Sequence, residues 1–335
     1  MKKVNFYQGG PKVSAVGYGA MSFSDFYGET SRENSFAILD RCQDVDMDHL
    51  DTAHMYGRGE SETVIGLYLK ENPAAKDFFK IASKGGIWEC KREDNEGSAS
   101  NNSPEYMRKN LEESLQRLGL DCIDLYYVHR LDNRFTIEET TDLMVEFIKE
   151  GKIKSYGYSE ISPASLRRVN AIHPCGAIQN EYSLWCRSPE LGMIQTCDEL
   201  GVTFVPFSPV GRGILTDKPR RSEDKLNAPF LQVNPRFIEP NLSVNLEWTD
   251  RFRAFAADKG VPTASLAIAW SIAKGKNMLT IPGTRFVSHL DELAIGGSLN
   301  LSVAEIAEIE TVLPAGFAQG DRYSDGQWTT QERFC

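Results

Sequence analysis

Positive charge is scarce in this chain: 37 lysines and arginines stand against 47 aspartates and glutamates in 335 residues, a formal charge of −10. Binding to a phosphate backbone leans on a cationic face, so nucleic acid is not expected as the main partner. No apolar run approaches the roughly 20 residues that cross a bilayer. The opening segment MKKVNFYQGG has no apolar stretch behind its lysines, so neither a membrane span nor a secretory signal is expected. Seven widely spaced cysteines without a C-x-x-C pair argue against a disulfide framework and suit reduced thiols in a cytoplasmic protein. The five histidines form no H-E-x-x-H and no cluster with cysteine, so no metal site is expected. A G-x-x-x-x-G-K-S/T loop is absent, which removes the P-loop class. Gly17-x-Gly19 lacks the third glycine of a dinucleotide fingerprint because Ser22 stands there.

What is present is an ordinary globular composition, 41% hydrophobic and 25% charged, laid out as alternating short apolar runs and helical patterns. Candidate strands begin at Val13, Asp48, Phe78, Cys122, Lys152, Gly176, Val202 and Asn277. Between them lie helices with readable ends. Ser103-Pro104 opens one that carries Met107, Leu111, Leu115 and Leu118 on one face and stops at Gly119; Ser162-Pro163 and Ser188-Pro189 open two more, and Gly151 and Gly201 close others. Eight such units predict an α/β (β/α)8 TIM barrel, a single domain over residues 1–335. Gly17 and Gly19 read as a tight strand exit rather than as cofactor contacts. VNFYQGGPKV, with Gly9-Gly10 at its turn, predicts an N-terminal hairpin that plugs the barrel bottom. From Leu215 to about Asp250, after the seventh strand, the chain is rich in Pro, Asn and charge without a clear period, which predicts a long flap or insert over the barrel mouth.

In a barrel, side chains at the carboxyl ends of strands converge on one mouth. Three successive predicted strands end in titratable residues, Asp51, Lys84 and His129, and Tyr56 follows shortly after Asp51. A lysine beside a phenol favours phenolate and lowers the phenol's pKa, while an aspartate holds the lysine charged. Such a tyrosine can give a proton near neutral pH, and an imidazole can orient a carbonyl oxygen, leaving the carbon open to a hydride. The reaction class is carbonyl reduction.

At these residues the sequence resembles the aldo-keto reductase family over nearly its whole length. DTAHMYG with Asp51 and Tyr56, SKGG with Lys84, and YYVHR with His129 match the family's tetrad in order and strand position. The resemblance implies a (β/α)8 barrel with NADPH across its mouth, Tyr56 as general acid, Lys84 and Asp51 tuning it, and His129 aligning the carbonyl. It also implies that Ser159 and Gln179 hold the carboxamide, that Phe207 stacks on the nicotinamide, and that Ser208, Pro209, Gly211, Arg212, Gly213 and Leu215 wrap the pyrophosphate. Gly283, Thr284 and Arg285, assisted by His289, would take the 2′-phosphate, which favours NADPH over NADH because a phosphate matches a guanidinium fork. Glu160 stands where many members have Asn, and could accept from the carboxamide NH2. Leu293 stands where the family often has Asn, so adenine recognition rests on Glu292 and apolar contact. YSE and NEYSLWCR are similar to the pyridoxal-reductase-like and perakine-reductase-like branches.

Met21, Trp88, Trp185 and the tail residue Trp328 are candidates for lining the substrate pocket, which suits apolar or aromatic aldehydes as partners. Oligomeric state is not readable from the sequence. Two other readings stay open. One is a Schiff-base lyase using Lys84. The other is an NADPH-binding sensor with little turnover, as in the potassium-channel β subunits of the family.

Overall fold

Short apolar runs alternating with capped helices are the pattern of parallel strands joined by helical crossovers. A computed structural model, which describes residues 1–87, 100–221, 229–326, 328 and 330–332, bears this out. The chain opens with the expected hairpin, β1 (Lys3–Asn5) antiparallel to β2 (Lys12–Ser14) with Val4 opposite Val13. Its position at the barrel bottom follows from its bonds: Gln8 N–H donates to the Gly176 carbonyl at 2.9 Å and Asn5 N–H to the Asn277 side chain at 2.8 Å, both at the starts of staves.

Seven parallel strands then pair each with the next: β3 (Tyr18–Gly19), β4 (His49–Asp51), β5 (Lys80–Gly85), β6 (Ile123–Val128), β7 (Ile153–Ser159), β8 (Ala177–Glu181) and β9 (Thr203–Phe207). The sheet curls, helices surround it, and the architecture is a (β/α)8 fold. Strand interiors are buried on both faces, β6 along its whole length, as a helix-covered parallel sheet requires. Parallel register delivers the strand ends to one mouth: Asp51 lies opposite Ala82, Lys84 opposite Tyr127, and Ser159 opposite Gln179.

The stave predicted from Asn277 is not a regular strand. It closes the barrel through isolated bridges, Met278 to Phe204 and Thr280 to Val16, with Gly17 N–H donating to the Thr280 carbonyl at 2.9 Å. Pro206 on β9 has no N–H to offer across that seam, so the ladder there is incomplete.

Helix ends follow local chemistry. Ser103 caps Pro104–Leu118 and Gly119 ends it in the left-handed region; Ser162 caps Pro163–Ile172; Gly201 ends Met193–Leu200. Thr136–Glu139 and Ser302–Glu305 form capping boxes. Ser188 departs from expectation: it starts a short 3-10 turn, Ser188–Leu191, without capping it, and the helix proper begins at Met193. The stretch after Leu215 also differs. It is not loop throughout, since a helix runs over Asn241–Asp258 and buries Leu242, Leu246, Thr249 and Phe252, although its apolar spacing is too diluted by polar residues to announce itself.

Gly17 shows how tightly the barrel is closed. A Cβ there would lie 1.7 Å from the buried His49 ring, whose nitrogens lack hydrogen-bond partners among the described residues and whose pKa burial pulls down to about 4. Replacing Gly17 by Ala should destabilise the fold by about 1–3 kcal/mol through overpacking. In urea unfolding, combining it with His49→Ala should cost less than the two single losses together; strict additivity would show that the two residues do not share that space.

Candidate active site

The register of β4 and β5 sets Asp51 and Lys84 side by side, and the turn after β4 brings Tyr56 back to them. Lys84 is fully buried and ion-pairs with Asp51, itself 2% exposed. Its ammonium also donates to the Thr52 carbonyl at 2.8 Å and to the Tyr56 hydroxyl at 3.3 Å. From across the barrel, Gln179 Nε2 donates to the other Asp51 oxygen at 2.7 Å. The His129 ring meets Tyr56 edge-on with centroids 5.9 Å apart. The three polar residues predicted from strand ends and Tyr56 therefore meet.

Their proton states follow from burial and charge. Burial works to lower the Lys84 pKa, but the Asp51 carboxylate and Tyr56 outweigh it, so the ammonium stays charged. Burial raises the Tyr56 phenol above its ordinary value, and Lys84 opposes the shift without reversing it. The expectation of a lowered phenol is thus corrected: desolvation exceeds the lysine's pull, and the group is a phenol with its proton in place. Burial, then Arg130 and Lys84, push His129 well below the usual imidazole value, so the ring is neutral. Its Nδ1 has no partner among the described residues.

Asp51, Tyr56 and His129 line one side of a cavity of about 870 Å³ that extends across the mouth, with Lys84 behind them. Ser159, Gln179, Phe207, Ser208, Pro209, Arg212 and Gly213 continue the wall, and Gly283, Thr284, Arg285, His289, Glu292 and Leu293 complete its far end. The volume is that of a cofactor-and-substrate cleft. Its wall also carries Lys218, Arg220 and, at the far end, Arg285, a local concentration of cations on a chain of net charge −10. Glu160, Ser208 and Arg212 all hold positive φ near the mouth, at 59°, 53° and 57°, strain of the kind that gathers at functional loops. Among the described residues no group of three or more His, Cys, Asp or Glu could hold a metal ion, and no helix is long and apolar enough to cross a membrane.

Several expected contacts fall elsewhere. Gly211 and Leu215 lie beneath the lining; Leu215 is fully buried and Gly211 packs over Trp185. Trp185 does not reach the cavity: its ring packs against Phe237 and Phe317 under the Arg236 guanidinium. Met21 lines the cavity, and Trp88 lies outside the described residues. Glu160 is fully buried and turned away from the cavity toward the C-terminal tail. Its Oε1 accepts from Arg322 Nη1 at 3.0 Å and from the Glu181 N–H at 2.9 Å, and its Oε2 pairs with Arg322 Nη2 at 2.8 Å. Arg322 also reaches Glu181 at 3.4 Å, and Arg212 reaches Glu181 at 3.1 Å. A carboxylate with a guanidinium available turns to it rather than to a neutral amide.

This network brings the tail over the mouth, where Tyr323, Gly326, Thr330 and Gln331 join the lining. Trp328 rests on Tyr323 and donates to Asp321 at 3.0 Å. Trp328 marked the tail as a candidate wall in the sequence, but nothing in that polar segment signalled the Arg322 ion pairs that hold it there. Arg130, which also lines the cavity, could have been found because it follows His129 directly.

Removing one member of a buried ion network leaves the others uncompensated. Arg322→Met should cost about 3–5 kcal/mol at pH 7. Burial acts to raise the Glu181 pKa, but Arg212 and Arg322 hold it below the usual carboxylate value, so its stabilising share is present above the unfolded pKa and lost as pH falls through the folded one. The variant's deficit should therefore hold from pH 7 down to about pH 4 and shrink as pH falls further in chemical denaturation. A deficit that stayed constant below about pH 4 would contradict an electrostatic origin.

Residues 15–314 match the model of the Aldo/keto reductase family. The fission yeast (Schizosaccharomyces pombe) protein named aldo-keto reductase yakc, NADP(+), is 36% identical over 321 residues, covering 95% of this chain and 94% of that protein. Probable aldo-keto reductase 1 of Glycine max is also 36% identical, covering 95% and 90%. Among solved structures, the glycerol dehydrogenase AKR11B4 of Gluconobacter oxydans superposes with a TM-score of 0.82 at 24% identity, covering 93% of this chain and 94% of that one. An aldo/keto reductase of Klebsiella pneumoniae in complex with NADP and acetate gives 0.71 at 23% identity, covering 97% and 99%. With a family match spanning nearly every stave and the Asp51, Tyr56, Lys84 and His129 cluster at the mouth, this chain belongs to the aldo/keto reductase family.

Proposed function

We propose that this protein reduces aldehydes or ketones to alcohols with NADPH. The observation that carries the proposal is the buried ammonium of Lys84 held between the Asp51 carboxylate and, at 3.3 Å, the hydroxyl of Tyr56 on the cavity wall. The cofactor assignment is supported by the cations along the cavity wall and by Gly213, whose φ of 97° and lack of side chain leave room for phosphate oxygens at the loop. The curated fission yeast relative carries NADP(+) in its name, and the cations here fit the extra phosphate.

When bound, NADPH supplies the hydride. Phe207 offers a flat apolar face for the nicotinamide. Ser159 Oγ accepts a hydrogen bond from Arg130 at 2.9 Å, which leaves its own proton to donate to the carboxamide oxygen. Tyr56 would give its proton to the carbonyl oxygen, on which negative charge builds during reduction. Lys84 stabilises the phenolate left behind until solvent returns a proton to it, and Asp51 keeps Lys84 charged and in place. Neutral His129 orients the carbonyl oxygen beside Tyr56. Met21, Phe26 and Tyr27 supply apolar and aromatic wall for the rest of the substrate.

The lyase reading has less support, because an amine must be neutral to attack a carbonyl and Asp51 holds Lys84 protonated. Following NADPH absorbance during a screen of aldehydes and ketones tests the proposal; tight NADPH binding without turnover across the panel would favour a sensor instead.

Tyr56→Phe should abolish reduction and leave the dissociation constant for NADPH nearly unchanged, since the hydroxyl acts in proton transfer. Retained turnover would remove Tyr56 as the acid. Arg285→Ala should weaken NADPH by about 1–3 kcal/mol and NADH far less; equal losses in a titration of both cofactors would refute its pairing with the 2′-phosphate.

A further inference from the structure

Arg130 is the one cation on the cavity wall next to the Tyr56 and His129 pair that no carboxylate claims among the described residues. Lys84 is tied to Asp51, and Arg212 to Glu181. Arg130 is half-buried, and its Nη1 is fixed by two neutral acceptors, the His129 carbonyl at 2.7 Å and Ser159 Oγ at 2.9 Å. Those bonds hold the guanidinium plane against β6 and β7 and leave Nε and Nη2 without a partner among the described residues. The acidic residues of the wall have other partners or positions: Asp51 is engaged by Lys84 and Gln179, Asp217 by Thr263, and Glu292 lines the cavity with Arg285 and His289. Its field reaches the reacting groups, since it opposes the burial-driven rise of the Tyr56 pKa and adds to the lowering of the His129 pKa. It also acts on Tyr323, which closes the wall from the tail. Arg130 therefore lines the cavity beside the tetrad, within electrostatic reach of Tyr323 of the tail. A guanidinium that is positioned, partly desolvated and left without an anion presents two adjacent N–H groups suited to a carboxylate.

We propose that Arg130 is a specificity-determining residue, and that the preferred substrate is a carbonyl compound carrying a carboxylate that pairs with Nε and Nη2 while its C=O group meets Tyr56 and His129. This rests on the reductase reading and narrows it from apolar or aromatic aldehydes to oxo acids and aldehyde acids. The apolar wall then packs the carbon skeleton between the two polar ends.

The test compares benzaldehyde with 2-, 3- and 4-carboxybenzaldehyde, and butanal with succinic semialdehyde, using NADPH and the full chain. At least one acid in each pair should exceed its neutral counterpart in kcat/KM by tenfold or more. Arg130→Met should bring that ratio near one, mainly through KM for the acid, and Arg130→Lys should restore part of it. Measuring the NADPH dissociation constant of each variant separates a loss acting through Ser159 from one acting on substrate. Acids no better than the neutral aldehydes, or an advantage that survives Arg130→Met, would overturn the proposal. If no aldehyde consumes NADPH, the reductase reading fails. Binding of the carboxybenzaldehydes to the NADPH-loaded protein then decides the role of Arg130 separately: affinity above that of benzaldehyde, lost in Arg130→Met, supports it, and equal affinity refutes it.

Discussion

An ammonium with no exposed surface cannot persist in a protein core unless counter-charge and hydrogen-bond acceptors surround it. Lys84 meets that demand with the Asp51 carboxylate, the Thr52 carbonyl and the Tyr56 hydroxyl. Each partner then becomes fixed in turn: Asp51 is pinned from the other side by Gln179, and Tyr56 has His129 against its ring. Much of the mouth follows from that demand. The pairing of β4 with β5 brings acid and base together, and barrel closure brings Gln179 within reach. The turn after β4 returns the phenol to a place where its proton is kept by burial and its conjugate base would be stabilised by a charge already paired.

A second buried network joins the parts of the mouth that the tetrad does not touch. Glu160 and Glu181 come from the ends of β7 and β8, Arg212 from the loop after β9, and Arg322 from the tail. Two carboxylates and two guanidiniums balance in charge, so the cluster tolerates burial that any one member would not. Tyr323 lies over both guanidiniums. In consequence the tail becomes a wall of the cavity, and Glu160 serves as an anchor for that wall in a position where other members of the family place an asparagine near the nicotinamide.

The barrel was legible because its signals are local. Apolar runs of strand length, serine-proline helix starts and glycine stops recur unit by unit, and each depends only on neighbouring residues. The tetrad was legible for a related reason: a titratable side chain at the end of an apolar strand has one place to go in a parallel barrel. Ser188 misled because a serine-proline pair fits a 3-10 turn as well as a helix start, and the choice was made by Gly192 and the packing of the following helix. Trp185 misled because an aromatic residue near a strand end can turn inward to Phe237 as readily as toward a ligand. The helix over Asn241–Asp258 was hidden by polar residues that face solvent on most of its turns.

By itself the sequence determined the order of strands and helices, the fold class, the family resemblance and the identity of the four polar groups that meet at the mouth. These are set by short-range spacing and by the geometry that any parallel barrel imposes. Only the tertiary structure decided the proton state of Tyr56, the partner of Glu160, the path of the tail and the unclaimed edge of Arg130. Each of those depends on how deeply a group is buried and which charge lies across the gap, and residues distant in the chain set both.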